Sequence, residues 1–273
     1  MAVLADAVYG AAVGDALGVP FEFKRRGSFT CQDMVGHGSH LQAAGTWSDD
    51  TSLTLATCDS IRACNGRIDL ADMRSRFRDW LDFGYYAIDN HVFDVGGTTS
   101  EAITNGEGRA GERDNGNGSL MRIAPLAFTA ADDDAIRAVS ALTHAHPIST
   151  EGCVAYVHIC RDLMAGVDLA SSIAVNKPGL PAYERLDRVT SLAADEIKSG
   201  GFVASTLEAS LWCLARTTSF KECVLAAVNL GGDTDTTACV AGALAGIVYG
   251  KAGIPAGWVT NLRGKDIIES CLF

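Results

Sequence analysis

The stretch that decides the fold runs from residue 48 to residue 64, SDDTSLTLATCDSIRAC. From Leu53 onward, Leu53, Ala56, Thr57, Ser60, Ile61 and Cys64 recur at the i, i+3, i+4 spacing of one helix face. The same spacing links Leu207, Leu211, Trp212 and Ala215, and again Val224, Leu225 and Val228. Segments 2–14, 69–82, 132–142, 150–164, 186–197 and 237–249 also read as helices. Period-two alternation is nearly absent, and short strands find room only near 19–35. The pattern predicts an all-α fold, a single compact multi-helix domain over residues 1–273.

The rest of the composition suits that prediction. The chain has 273 residues, 48% of them hydrophobic, enough for a sizeable core. Its net charge of −11 offers no general attraction to nucleic acid or to an anionic membrane. The compact basic run Lys24-Arg25-Arg26 reads as a solvated turn. The uncharged stretch 236–250 is too short and too rich in small residues to span a bilayer, and reads as a buried helix. No signal peptide is evident. The nine cysteines are odd in number, form no C-x-x-C pair and fall among apolar positions. They read as reduced core thiols, which places the protein in the cytoplasm. The stretch 104–118, TNGEGRAGERDNGNG, has five glycines and no apolar pattern. It reads as an ordered loop within the domain, with a mobile first half, and as a candidate lid.

The deciding stretch also carries chemistry. Ser48, Asp49 and Asp50 sit where a helix begins, and Asp233, Asp235 and Thr236 follow Gly231-Gly232 in the same position before another helix. Alone, each cluster is as readily a helix cap, because acids in the first turn complement the macrodipole. Together they offer carboxylates and hydroxyls to a hard divalent cation. Four crowded carboxylates would otherwise repel one another. The pairing favours metal.

Six motifs then fall in order along the chain: GAAVGDALGVPFE (10–22), WSDDT (47–51), FDVGGTT (93–99), GNGSLMR (116–122), Thr143-His144 and GGDTDT (231–236). With them the chain resembles the ADP-ribosylglycohydrolase family, which includes dinitrogenase-reductase-activating glycohydrolase and the ADP-ribosyl-acceptor hydrolases. The resemblance implies an all-α enzyme with two divalent cations, Mg²⁺ or Mn²⁺, that cleaves ADP-ribose from an acceptor. It implies Ser48, Asp49, Asp50, Asp233, Asp235 and Thr236 as metal ligands, with Ser48 standing where many members have Thr. It also implies contacts to ADP-ribose from Gly118, Ser119, Met121 and His144. Gly97 stands where Asn is common, so one polar contact near the ribose is missing.

With the clusters committed to metal, proton transfer falls to other carboxylates. Glu22 and Asp94 are the candidates, their division of roles open. Asp15 is as readily a structural residue as a site residue. His144 and His146 could ligate zinc, but nothing nearby completes a set. No nucleophile elbow, activated cysteine or dinucleotide fingerprint is present. The leading expectation is hydrolysis of ADP-ribosyl-arginine on protein, by a monomer. The alternatives are hydrolysis of a small conjugate such as O-acetyl-ADP-ribose, and binding of ADP-ribose without turnover.

Overall fold

A computed structural model describes residues 3–273 of the chain. The α-helices are α1 (Leu4–Gly18), α2 (Asp49–Ala63), α3 (Leu70–Phe83), α4 (Gly97–Asn105), α5 (Asp133–Ser140), α6 (Pro147–Met164), α7 (Leu169–Asn176), α8 (Val203–Ala215), α9 (Phe220–Asn229), α10 (Thr234–Tyr249), α11 (Ala256–Asn261) and α12 (Lys265–Cys271). Short 3₁₀ segments join several of them. The described residues contain no strand, only isolated bridges such as Arg109–His144 and Gly116–Phe202. The fold is all-α, and the 19–35 stretch holds a 3₁₀ turn at Val19–Phe21 where strands had room. No helix among the described residues is long and apolar enough to cross a membrane.

Helices α1 and α10 form the centre, both buried over nearly their whole length. The reason is in the sequence: Gly10, Gly14 and Gly18 repeat every fourth residue and line one face of α1. A Cβ on Gly14 would stand 2.0 Å from the Ala238 carbonyl oxygen, and one on Gly10 2.2 Å from that of Gly242. Only glycine lets the two backbones touch in this way. At the end of the stripe, a Cβ on Gly18 would lie 2.3 Å from the Asp235 Cα. The Thr234 hydroxyl donates to the Gly18 carbonyl at 2.8 Å. The contact thus brings the end of α1 against the start of α10.

Three expectations need correction. Residues 186–197 are not α-helical but lie in a 3₁₀ segment, Pro181–Ser191, and a second turn at Ala194–Glu196. The buried residues there, Tyr183, Leu186, Val189 and Leu192, recur every third position, which suits three residues per turn and not 3.6. The basic run is not simply solvated, since Arg26 donates to the carbonyls of Leu230 at 2.8 Å, Ala194 at 2.5 Å and Ile197 at 2.6 Å. Finally, α4 reaches into the 104–118 stretch, and the loop beyond it is tied along its length. Arg109 exchanges backbone hydrogen bonds with Thr143 and Ala145, and Asn117 and Asn115 pair with Gly201 and Val203. Its first half is therefore pinned. All nine cysteines are unpaired and all but Cys64 are buried.

Candidate active site

The two acidic clusters meet. α2 and α10 begin side by side, and Asp50 Oδ2 accepts from Ser48 Oγ at 3.0 Å and from Thr236 Oγ1 at 3.3 Å. The acids of neither cluster are used up as caps. At α2 Ser48 occupies the cap position, its Oγ accepting from Asp50 N at 3.4 Å, and further donors of this first turn are held by Asp15, a fully buried residue of α1. Its carboxylate accepts from Ser48 N at 2.9 Å, Thr51 N at 3.0 Å and Thr51 Oγ1 at 2.6 Å. Asp15 therefore fixes the first turn of α2 and leaves Asp49 and Asp50 free. At α10, Asp233 occupies the cap position without capping. Its Oδ2 instead accepts from Asn117 Nδ2 at 2.8 Å.

Gly231 and Gly232 set the entry to α10. Both have positive φ, 71° and 77°. A Cβ on either would strike backbone, at 2.6 Å from Arg26 N or 2.4 Å from Ser199 O. Phe23 N donates to the Gly232 carbonyl at 2.7 Å, and Gly232 N donates to Lys24 O at 2.9 Å. That crossing holds the turn carrying Glu22 beside Asp233.

Three buried carboxylate oxygens have no hydrogen-bond partner: Asp50 Oδ1, Asp233 Oδ1 and Asp235 Oδ2. Such atoms are costly unless something compensates them. Oxygens of Asp15, Asp50 and Asp235 lie within 4.8 Å of one another, and Asp235 also groups with Glu22, His40 and Asp94 within the same distance. Burial, reinforced by neighbouring carboxylates, holds Asp49, Asp50 and Asp235 well above the ordinary carboxylate range. Burial also raises Asp233. Burial and the Asp94 charge push Glu22 up to about 10, and burial pushes Asp15 up to about 6. The buried carboxylates of the two clusters, three of their oxygens unpartnered, fit a hard divalent cation.

A cleft of about 370 Å³ opens over the acids. Glu22, Asp49, Asp94, Asp233 and Thr236 line it together with Gly118, Met121 and His144. Ser48, Asp50 and Asp235 are buried behind the lining. Ser119 departs from this arrangement: its Oγ is buried against Ser140 Oγ at 3.0 Å and Cys153 Sγ at 3.5 Å, and it does not line the cleft. Gly97 does line it, with open space where a side chain would go. His146 caps α6, its Nδ1 accepting from Ile148 N at 3.2 Å.

His40 is a site residue that sequence reasoning missed. Its Nε2 hydrogen-bonds Glu22 Oε2 and lies 3.8 Å from Asp94 Oδ1. The ring sits between Phe23 and Phe93, at centroid distances of 5.9 and 5.2 Å. A lone histidine in an aperiodic loop carries no local signal. It reaches the site because Ser39 Oγ donates to the Glu22 carbonyl at 2.6 Å. Asn117 belonged to a recognisable motif, but its bond to Asp233 is visible only in three dimensions.

An all-α scaffold with paired acidic helix starts beneath a glycine-lined cleft is the arrangement that the motifs implied. The chain belongs to the ADP-ribosylglycohydrolase family, whose model matches residues 4–272. It is a hydrolase acting on glycosyl bonds. It is 32% identical to the ADP-ribosylarginine hydrolase Tri1 of Serratia proteamaculans, over 97% of this chain and 76% of that protein. It is 31% identical to the ADP-ribosyl-[dinitrogen reductase] glycohydrolase of Rhodospirillum rubrum, over 95% of this chain and 90% of that one. A solved structure described as an ADP-ribosylglycohydrolase-related protein complex superposes with a TM-score of 0.82 at 31% identity, covering 97% of this chain and 93% of the other.

Proposed function

We propose that this chain hydrolyses the N-glycosidic bond between ADP-ribose and arginine on a modified protein, with two divalent cations, Mg²⁺ or Mn²⁺, as cofactors. The observation that carries the reading is the set of three buried, unpartnered carboxylate oxygens on Asp50, Asp233 and Asp235. The arginine acceptor is supported by the relatives named for that activity.

In this reading Ser48, Asp49, Asp50, Asp233, Asp235 and Thr236 hold the cations. When bound, these would supply Lewis acidity and order the ribose hydroxyls. The chain's own residues do the rest. Asp15 fixes the first turn of α2 and Asn117 fixes the Asp233 carboxylate, so the donors are set before substrate arrives. Gly118, Met121 and His144 receive the remainder of ADP-ribose, with the 116–118 turn bringing backbone close to the diphosphate. Cleavage at the anomeric carbon passes through an oxocarbenium-like state. It needs a proton delivered to the leaving nitrogen and one taken from the attacking water. Glu22 and Asp94 share that traffic, with His40 Nε2 hydrogen-bonded to Glu22 and near Asp94.

The test is turnover of an ADP-ribosyl-arginine peptide, with a serine-linked peptide and O-acetyl-ADP-ribose as comparators. The expected result is release of free ADP-ribose from the arginine peptide with Mg²⁺ or Mn²⁺ present, and none after chelation. Faster release from O-acetyl-ADP-ribose would overturn the acceptor. Release that survives exhaustive chelation would overturn the metal.

A further inference from the structure

Arg122 is a buried charge with no acid among its hydrogen-bond partners. It is fully buried in the segment after the 116–118 turn, and its guanidinium lies 4.6 Å from the centre of the Phe77 ring. Burying a guanidinium without a carboxylate is expensive, and here Nε and Nη1 have no hydrogen-bond partner, so only Nη2 is bonded. Nη2 donates to the Val139 carbonyl at 3.1 Å and to Thr143 Oγ1 at 2.9 Å. Thr143 Oγ1 also lies 2.9 Å from His144 Nδ1.

The direction of this chain follows from donor chemistry. A guanidinium only donates, so Thr143 Oγ1 accepts from Arg122. The Thr143 hydroxyl then has one proton of its own to place, and His144 Nδ1 is the partner within reach. Nδ1 accepts that proton, so the ring's hydrogen sits on Nε2. The glycine turn holds the ring at its other edge. A Cβ on Gly116 would lie 3.2 Å from Nε2, and one on Gly118 2.8 Å from Cε1. Nε2 bonds no protein group and opens on the cleft.

We propose that Arg122 acts through Thr143 as a positioning residue, fixing His144 in its Nε2–H tautomer so that the ring presents a permanent hydrogen-bond donor to an acceptor oxygen of the ligand in the cleft. Burial and the Arg122 charge also hold the His144 imidazolium down to about 3, so the donor is a neutral ring at any working pH. The proposal rests on the function above only for the identity of the ligand as ADP-ribose.

The test combines ¹⁵N NMR of the histidine rings with ADP-ribose binding. The His144 signals are assigned by their loss in His144→Gln. In the native protein we expect an unprotonated, pyridine-type Nδ1 and a protonated, pyrrole-type Nε2. Thr143→Val keeps the shape and removes the hydroxyl. It should mix the two tautomers and weaken ADP-ribose binding about tenfold, the effect of one neutral hydrogen bond. Thr143→Ser should restore both readouts, which a packing role alone would not require. A native spectrum with the proton on Nδ1 overturns the relay, whether or not the variants fold. So does a Thr143→Val protein with unchanged nitrogen shifts and unchanged affinity. Failure of the native protein to bind ADP-ribose at all would overturn the ligand, while the nitrogen pattern would still decide the relay.

Discussion

Asp50 and Asp235 illustrate how one residue type changes meaning with its surroundings. Each stands in the first turn of a helix, where an acid ordinarily complements the macrodipole. Here each leaves one buried oxygen without a partner. Asp235→Asn should therefore lower metal-dependent turnover by about a thousandfold or more, an effect of several kcal/mol on the transition state. Circular dichroism should show the helical content unchanged. Residual activity above a tenth of native would contradict the ligand assignment. Gly97 makes the opposite case. Gly97 lines the cleft, and a Cβ there would meet no atom within 4 Å. Gly97→Asn should fold normally and lower KM for the ADP-ribosyl substrate by about threefold, within the range of one added hydrogen bond. A raised KM would show that the position does not face the ribose. Of the site residues, those in the acidic clusters were legible because the clustering itself is costly without a ligand. His40 and Arg122 were not. One lies in an irregular loop and the other follows a turn, and both acquire their partners through tertiary contact.

At the scale of elements, the close pairing of α1 with α10 carries the site. It sets Gly18 against Asp235, and the chain then turns at Val19–Phe21 to deliver Glu22. Gly14→Ala, a mild change on most helices, would place a methyl group 2.0 Å from a backbone oxygen. We expect a loss of about 3 kcal/mol in stability by denaturant titration, at the upper end for an overpacked core. Activity should fall with it, since α1 must move away from α10. A stability unchanged within 0.5 kcal/mol or so would show that the helices can separate at little cost. The strongly periodic helices, α2, α3, α6 and α8 to α10, were evident from their spacing. The short ones, α4, α7, α11 and α12, were not. α4 opens with Gly97-Thr98-Thr99, residues of low helix propensity. α7, α11 and α12 span eight residues or fewer, too few turns to establish a period. The 186–197 stretch misled because its apolar residues repeat every third position, close enough to helical spacing to imitate it.

For the whole molecule, the buried acids make folding and pH interdependent. An unfolded carboxylate titrates near 4. In the folded, metal-free protein Asp15 is raised to about 6 and Glu22 to about 10, and Asp49, Asp50 and Asp235 are raised as well. The folded state thus binds more protons than the unfolded state above pH 4 or so, and its stability falls as pH rises through that window. The metal-free protein should melt higher at pH 5 than at pH 8, by about 5 °C or more for a chain of this size. Saturating Mg²⁺ should remove or reverse the difference, because cations favour the ionised carboxylates. A melting temperature that stays flat with pH in the absence of metal would mean that the acids are not confined together as described.

Two acidic helix starts, distant in sequence, that form one divalent-metal site should bind Mn²⁺ together. Electron paramagnetic resonance of Mn²⁺ added to the metal-free protein reads the free ion by its sharp six-line signal. This signal should be suppressed until two ions per chain have been taken up, and Asp50→Asn and Asp235→Asn should each lose that uptake. A full free-ion signal at excess native protein, or uptake that survives both substitutions, would contradict a shared site.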